Sequence, residues 1–347
     1  MMTQGENHSI DLRSWLETLE KHGELRRISA EVDWREEIGA VARINLSLDG
    51  PGLLFENIRD HKHTRCTKFL TGTLGNRRQV CLLLGLPTGT PDKAIIQHLR
   101  ACYRRGIPPV EVATGPVKTH KLAGADLDLG EFPVPHWHHL DGGRFIDTFC
   151  GVVTRNPKNG QMNVGIYRGQ VIAPDKIGKL LIPTQHWGSH FAEHRETSSP
   201  MPVAVVHGWH DVLPFCAGSP FPKGICEYDM MGAILGRPVE LVRCETSDLL
   251  IPASAEIVIE GTIDPNPATF EMEGPFGDHT GYYTPVADYP VMHVTAITHR
   301  RDPIYPATVV GRPSMEDFWM GKATERLFLP LMRLFLPLTG VQGQGLL

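Results

Sequence analysis

Neither sign of charge dominates this chain: 347 residues carry a net charge of −5 with a pI near 6.4. That balance gives no electrostatic reason to expect nucleic acid or an anionic membrane as a partner. Cysteine pairing is missing too. Seven cysteines lie scattered from Cys66 to Cys244 with no CxxC spacing, which argues against a disulfide framework and against a zinc ribbon. Reduced, structural thiols are expected instead. No apolar run reaches membrane-spanning length, and the polar start Met-Met-Thr-Gln-Gly-Glu-Asn-His has no signal-peptide core. A soluble, cytoplasmic protein without a membrane span is the expectation. Repeats, low-complexity tracts, a Walker sequence and an HExxH pair are absent. The short pair Gly72-Thr-Leu-Gly75 falls short of a dinucleotide fingerprint, so neither a Rossmann site nor a P-loop is expected.

What is present is an ordinary globular composition, 41% hydrophobic and 21% charged, in a chain long enough for two domains. Ser9 or Asp11 can cap a first helix with Leu12, Trp15, Leu16 and Leu19 on one face, stopped by Gly23. A second helical pattern runs from about Glu36 to Asn45, with Ile38, Val41 and Ala42 as its apolar side. Leu53–Phe55 reads as a short strand and Val80–Leu84 as a buried one. Asp92 opens a third helix carrying Ile95, Ile96, Leu99 and Cys102, which ends before Gly106. Alternating helices and short strands predict a small α/β domain over residues 1–115.

Beyond it strands dominate. Phe149–Thr154 and Gln161–Ile172 are joined by Asn156-Pro-Lys-Asn-Gly160, whose Asn-Gly signals a hairpin. Further strands are expected at Pro202–His207, Val239–Cys244, Ala255–Gly261 and Val291–His299, with a helix or turn around Lys176–Ile182 and a helix at Cys226–Leu235. Residues 116–315 therefore read as a mainly β domain, a barrel. A helix is expected after Ser314.

The segment with most chemical promise is Glu273-Gly-Pro-Phe-Gly-Asp278-His-Thr-Gly-Tyr-Tyr283. Its breakers forbid a regular helix and make a stiff loop that a ligand can approach closely. Two carboxylates on such a loop suit acid/base work if their surroundings separate their pKa values, and equally suit a surface turn that caps its own amides. Asn163 and Arg168 have opposite parity, so they share a cavity only if their strand bulges, twists or ends between them. Arg168 has the planar fork that clamps a carboxylate. Asn163, His186 and Glu227 together make an oxygen/nitrogen set suited to Mn²⁺ or Mg²⁺, without any local metal spacing. For Glu227 the helix dipole is an equally good reason. His136-Trp-His138-His139 mimics a zinc tract but lacks its spacing, and is assigned to structure or pocket lining.

Taken in chain order, Asn163-Val-Gly-Ile-Tyr-Arg168, Gln185-His186, Glu227 ahead of Tyr-Asp-Met-Met-Gly232, and the Glu273–Tyr283 loop resemble the UbiD family of prenylated-FMN (de)carboxylases. Asp126-Leu-Asp-Leu-Gly, Pro252-Ala-Ser-Ala-Glu-Ile-Val and Gly321-Lys-Ala-Thr-Glu add to the resemblance. It implies an α+β fold: the N-terminal α/β domain, a mainly antiparallel split β-barrel that binds the flavin, and a linker helix opening a C-terminal domain at 316–347. It implies Arg168, Glu273 and Asp278 as catalytic residues and Asn163, His186 and Glu227 as metal ligands. The cofactor contacts it implies are Asn163, Ile166, Tyr167, Arg168, Leu180, Leu181, Ile182, Gln185, His186 and Glu227. The activity implied is reversible, non-oxidative decarboxylation of an aromatic or α,β-unsaturated acid, in ubiquinone biosynthesis or aromatic acid metabolism. Prenylated FMN and Mn²⁺ or Mg²⁺ would serve it, with K⁺ as an optional further cation. A flavin prenyltransferase would supply the cofactor, and the family assembles as homo-oligomers.

After about Pro337 the likeness stops, and Thr339-Gly-Val-Gln-Gly-Gln-Gly-Leu-Leu reads as a truncated continuation. Two other readings stand beside this one: an FMN-dependent, flavin-reductase-like oxidoreductase, and a non-catalytic fragment of a decarboxylase. The sequence leaves open which acid is the substrate and whether Glu273 or Asp278 donates the proton.

Overall fold

The computed structural model describes residues 10–312 and 315–322. Asp11 caps the first helix, Leu12–Lys21, by accepting from the Ser14 amide, while Ser14 answers with a bond to the cap backbone. Leu12, Trp15, Leu16 and Leu19 are buried along one stripe, as their spacing requires. Helices Glu37–Ser47 and Asp92–Tyr103 follow. In the former the inward face is Ile38, Ala42 and Leu46, while Val41, expected inside, is exposed.

One expected strand is a helix. Val80–Leu84 lies in and just beyond the helix Arg77–Leu83, started by a reciprocal Asn76–Gln79 capping box. Because this helix is buried around most of its circumference, its sequence is an unbroken apolar run, which carries no helical period. Another departure is Lys176–Ile182. Its first half is the strand Lys176–Lys179, paired with both Gly169–Ala173 and Val291–His299.

A four-stranded sheet runs in the order Leu25–Ile28, Gly52–Phe55, Lys68–Thr71, Ile304–Pro306. The last of these comes from the far end of the chain and pairs in parallel with Lys68–Leu70. The larger sheet has nine strands and is antiparallel at every pairing. Its path is Arg144–Phe145, Gly169–Ala173, Lys176–Lys179, Val291–His299, Ile257–Ile263, Met201–His207, Gly151–Arg155 and Met162–Gly165, with His120–Leu122 added beside Val291–His299. It curls into a half-barrel within a mixed α+β fold, the class expected from the sequence.

The single expected strand Gln161–Ile172 is two strands, Met162–Gly165 and Gly169–Ala173, which sit at opposite parts of this path. Residues 166–168 cross between them, so Asn163 and Arg168 escape the parity rule of one strand. The helices His186–Glu196 and Val212–Ala217, which the sequence pattern did not announce, and Glu227–Leu235 accompany the sheet. Residues 316–322 are helical, as expected after Ser314; the apolar tail from 323 onward lies outside the described residues.

Candidate active site

The crossing at 166–168 delivers Arg168 to the Glu273–Asp278 loop. Its Nε and Nη2 donate to the two oxygens of Glu273 at 2.9 and 2.7 Å, a bidentate fork. Its Nη1 donates to Asp278 Oδ2 at 3.1 Å and to Thr284 Oγ1 at 2.6 Å. The guanidinium also lies over the Phe276 ring, 5.4 Å from its centroid. Glu273 ends the strand Glu271–Glu273, and Phe276–Gly277 pairs with Tyr283–Thr284, so both acids hang from short pieces of sheet.

These two acids are in different electrostatic states. Burial raises the Glu273 carboxyl above its ordinary value, and the Arg168 bonds offset this only in part. For Asp278 burial also pushes upward, but hydrogen bonds from the His279 ring and backbone, with the Arg168 charge behind them, outweigh it and leave a net lowering. His279 Nδ1 lies 2.7 Å from Asp278 Oδ1, and this contact raises the His279 pKa in turn.

A cleft of about 350 Å³ opens beside the guanidinium. Ile166, Tyr167, Arg168, Leu180, Ile182, Gln185 and Asp278 line it, joined by Phe276, His279, Thr308 and, from the helix at 316–322, Asp317. Burial raises the Asp317 carboxyl to about 6. Leu181, partly buried, packs against the apolar core. Glu273 is fully buried behind the lining, reached through Arg168.

Asn163, His186 and Glu227 gather next to the cleft rather than on its wall. His186 Nδ1 is 3.0 Å from Asn163 Oδ1, and Asn163 Nδ2 donates to the Tyr167 hydroxyl at 3.1 Å. Glu227, in the first turn of its helix, accepts from the Val164 amide at 3.0 Å. Burial lifts its carboxyl to about 7 and lowers the His186 imidazole. The Tyr167 ring stacks on Trp187 at 4.4 Å with only 2° between the planes.

Several neighbours could not be read from the sequence. Thr284 completes the Arg168 bonds from the same hairpin as the acids. At the cleft wall, which Asp147 helps to line, lies a fully buried ionic group: Lys179 Nζ donates to Asp147 Oδ2, and His207 Nε2 stands 3.2 Å from Asp147 Oδ1. Asp147 has a lowered pKa because the Lys179 charge and the His207 contact together outweigh burial. These three come from separate strands and loops.

Comparison with known proteins follows the same outline. The pattern described as the 3-octaprenyl-4-hydroxybenzoate carboxy-lyase Rift-related domain of UbiD matches residues 109–313, and that of the carboxy-lyase N-terminal domain matches residues 16–99. An uncharacterized protein of Aquifex aeolicus is 38% identical over 348 residues, covering 94% of this chain and 70% of that one. The UbiD-class enzyme HmfF of Pelotomaculum thermopropionicum, in an evolved dimeric form with prFMN, is 32% identical with a TM-score of 0.83 over 95% of this chain and 74% of its own. Vanillic acid decarboxylase of Sedimentibacter hydroxybenzoicus in its closed form is 29% identical with a TM-score of 0.88, over 95% of this chain and 70% of its own. With its motifs, its fold and both family patterns in agreement, the chain belongs to the UbiD family of carboxy-lyases.

Proposed function

We propose that this chain is a non-oxidative decarboxylase of an aromatic or α,β-unsaturated carboxylic acid, working with prenylated FMN and a divalent cation. One observation carries the reading: a single buried guanidinium holds two carboxylates of opposite pKa tendency at the edge of a cleft. Loss of CO₂ leaves an electron pair on an sp² carbon, and the flavin, when bound, supplies the sink that no side chain offers. The cleft suits a flat ring, since Ile166, Leu180, Ile182 and Phe276 give it apolar walls.

Arg168 is the fork available to a substrate carboxylate at the cleft, and it keeps Glu273 in place. Glu273, the acid whose carboxyl burial raises above its ordinary value, is assigned the proton that replaces CO₂. Asp278 stays ionised and balances the guanidinium charge. This division follows the rule that paired acids with separated pKa values take separate roles.

Asn163, His186 and Glu227 fit a hard or borderline divalent ion such as Mn²⁺ or Mg²⁺, which would tie a flavin phosphate to the protein. The fit rests on Glu227, a buried carboxylate with no cationic partner among the described residues. Among those residues no three His, Cys, Asp or Glu side chains cluster for a metal, so the Asn163 amide oxygen is needed in the set.

Glu273→Gln is close in shape, keeps one of the two bonds from Arg168 and removes the transferable proton. It should retain flavin and lower CO₂ release about 10²–10⁴-fold. Near-normal release by that variant, across a panel of cinnamic-like and phenolic acids, would remove the mechanism. The mass of the extracted cofactor decides against a flavin reductase if the prenyl carbons are present and NAD(P)H turnover is absent.

A further inference from the structure

Two side chains outside the proposed catalytic set hold the backbone between Glu273 and Asp278. Gln170 stands two residues beyond Arg168, in the strand Gly169–Ala173. Its Oε1 accepts from the Gly274 amide at 2.7 Å, and its Nε2 donates to the Gly142 carbonyl at 3.0 Å. The Gly142 amide in turn donates to the Pro275 carbonyl at 2.8 Å. On the other side of Pro275, Asp141 Oδ1 accepts from the Gly277 amide at 2.8 Å, and its Oδ2 accepts from the His138 amide at 2.9 Å. Both side chains are buried.

The approach is close enough to require glycine. A Cβ on Gly142 would stand 2.0 Å from the Gly274 carbonyl oxygen, and one on Gly277 would meet the His138 ring at 2.7 Å. His138 also meets Phe276 and Tyr283 edge-on. The histidine tract that mimics a zinc motif is thus part of a brace against this loop.

We propose that Gln170 and Asp141 are positioning residues: by fixing the amides of Gly274 and Gly277 they set where the Glu273 and Asp278 carboxylates meet the Arg168 fork. Arg168 alone cannot do this, because a guanidinium follows its carboxylates wherever the loop carries them. The brace supplies the reference. The inference rests on the reading of Glu273 and Asp278 as the working acids, since a catalytic group displaced by about 1 Å loses on the order of 10² in rate.

The test uses Gln170→Leu, Asp141→Ala and the conservative Asp141→Asn, with two measurements. Amide hydrogen exchange on the cofactor-free chain should accelerate at residues 274 and 277 in the first two variants, and not across the sheet. In the chain loaded with prenylated FMN, both should lower kcat about 10²-fold with KM and bound flavin unchanged. Asp141→Asn, which keeps an oxygen for the Gly277 amide but sets its NH₂ against the His138 amide, should recover part of that loss. Unchanged exchange at 274 and 277 overturns the proposal, and so does acceleration spread evenly through the chain, which marks lost stability. Local acceleration with undiminished kcat overturns it as well. Should Glu273→Gln itself turn over normally, the functional reading falls, while the exchange measurement still decides whether the brace exists.

Discussion

Replacing Lys179 with Met should destabilise the fold by about 3–5 kcal/mol. The side chains of Lys179, Asp147 and His207 are all fully buried, and against burial the lysine charge is the largest single influence that keeps Asp147 ionised there. Without the ammonium, Asp147 keeps only His207, whose Nε2 lies 3.2 Å from Oδ1 in a geometry that makes no hydrogen bond. Against a net stability of about 5–15 kcal/mol for a typical fold, the loss would be a large fraction.

The dependence on pH gives a second signature. In the wild type the folded-state pKa of Asp147 is depressed, so its contribution is present above the ordinary carboxylate value and fades only as pH falls through the folded one. In Lys179→Met burial dominates and the folded pKa rises. The stability of the variant is then lost as pH climbs, so the deficit relative to wild type is largest at pH 8 and shrinks toward pH 4. Urea unfolding followed by far-UV circular dichroism at both pH values measures this. Adding Asp147→Leu to the same chain should restore most of the loss, because an apolar pair of similar volume carries no desolvation cost. A deficit below about 1 kcal/mol, one independent of pH, or a double variant worse than the single would refute the reasoning.

Two further outcomes are expected. Glu227→Ala should lower both metal and flavin content, read by elemental analysis and by visible absorbance of the purified protein; an unchanged metal-to-protein ratio counts against the ligand set. Asp211, buried against the Trp15 indole at 2.7 Å, has its carboxyl raised by burial to about 7. Its neutral form is the one the fold accepts, so its contribution is complete below the unfolded value and lost as pH rises to about 7. Asp211→Asn should therefore raise the unfolding free energy at pH 8, by at most about 4 kcal/mol, and with it the midpoint, and leave both nearly unchanged at pH 4. A lower midpoint at pH 8 would show that the indole bond needs the carboxylate.

The elements that could be read from the sequence are those with a local cause. Asp11 with the Leu12–Leu19 stripe, and the alternation of Val291–His299, declare themselves within a single turn or strand. Val80–Leu84 does not, because a helix surrounded by core loses its polar face and with it the period. His186–Glu196 begins without a side-chain cap, which leaves no start signal to read. At the site, the meeting of Arg168 with Glu273 and Asp278 could be posed only through the family resemblance, since taken locally the fork and the acidic loop suit solvent equally well. Gln170, Asp141 and the Asp147–Lys179–His207 group could not. Each is an unremarkable residue until the sheet order brings it to its partner.

The parallel pairing of Ile304–Pro306 with Lys68–Leu70 also bears on how the molecule is made. A nascent chain emerging from the ribosome can wind its early helices at once, yet Lys68–Thr71 keeps one edge bare until the last strand of the sheet has been synthesised. Cutting the gene between the two family patterns would therefore yield a leading fragment with an unsatisfied, sticky margin. Supplying a peptide that carries residues 304–306 in trans should make that fragment better behaved.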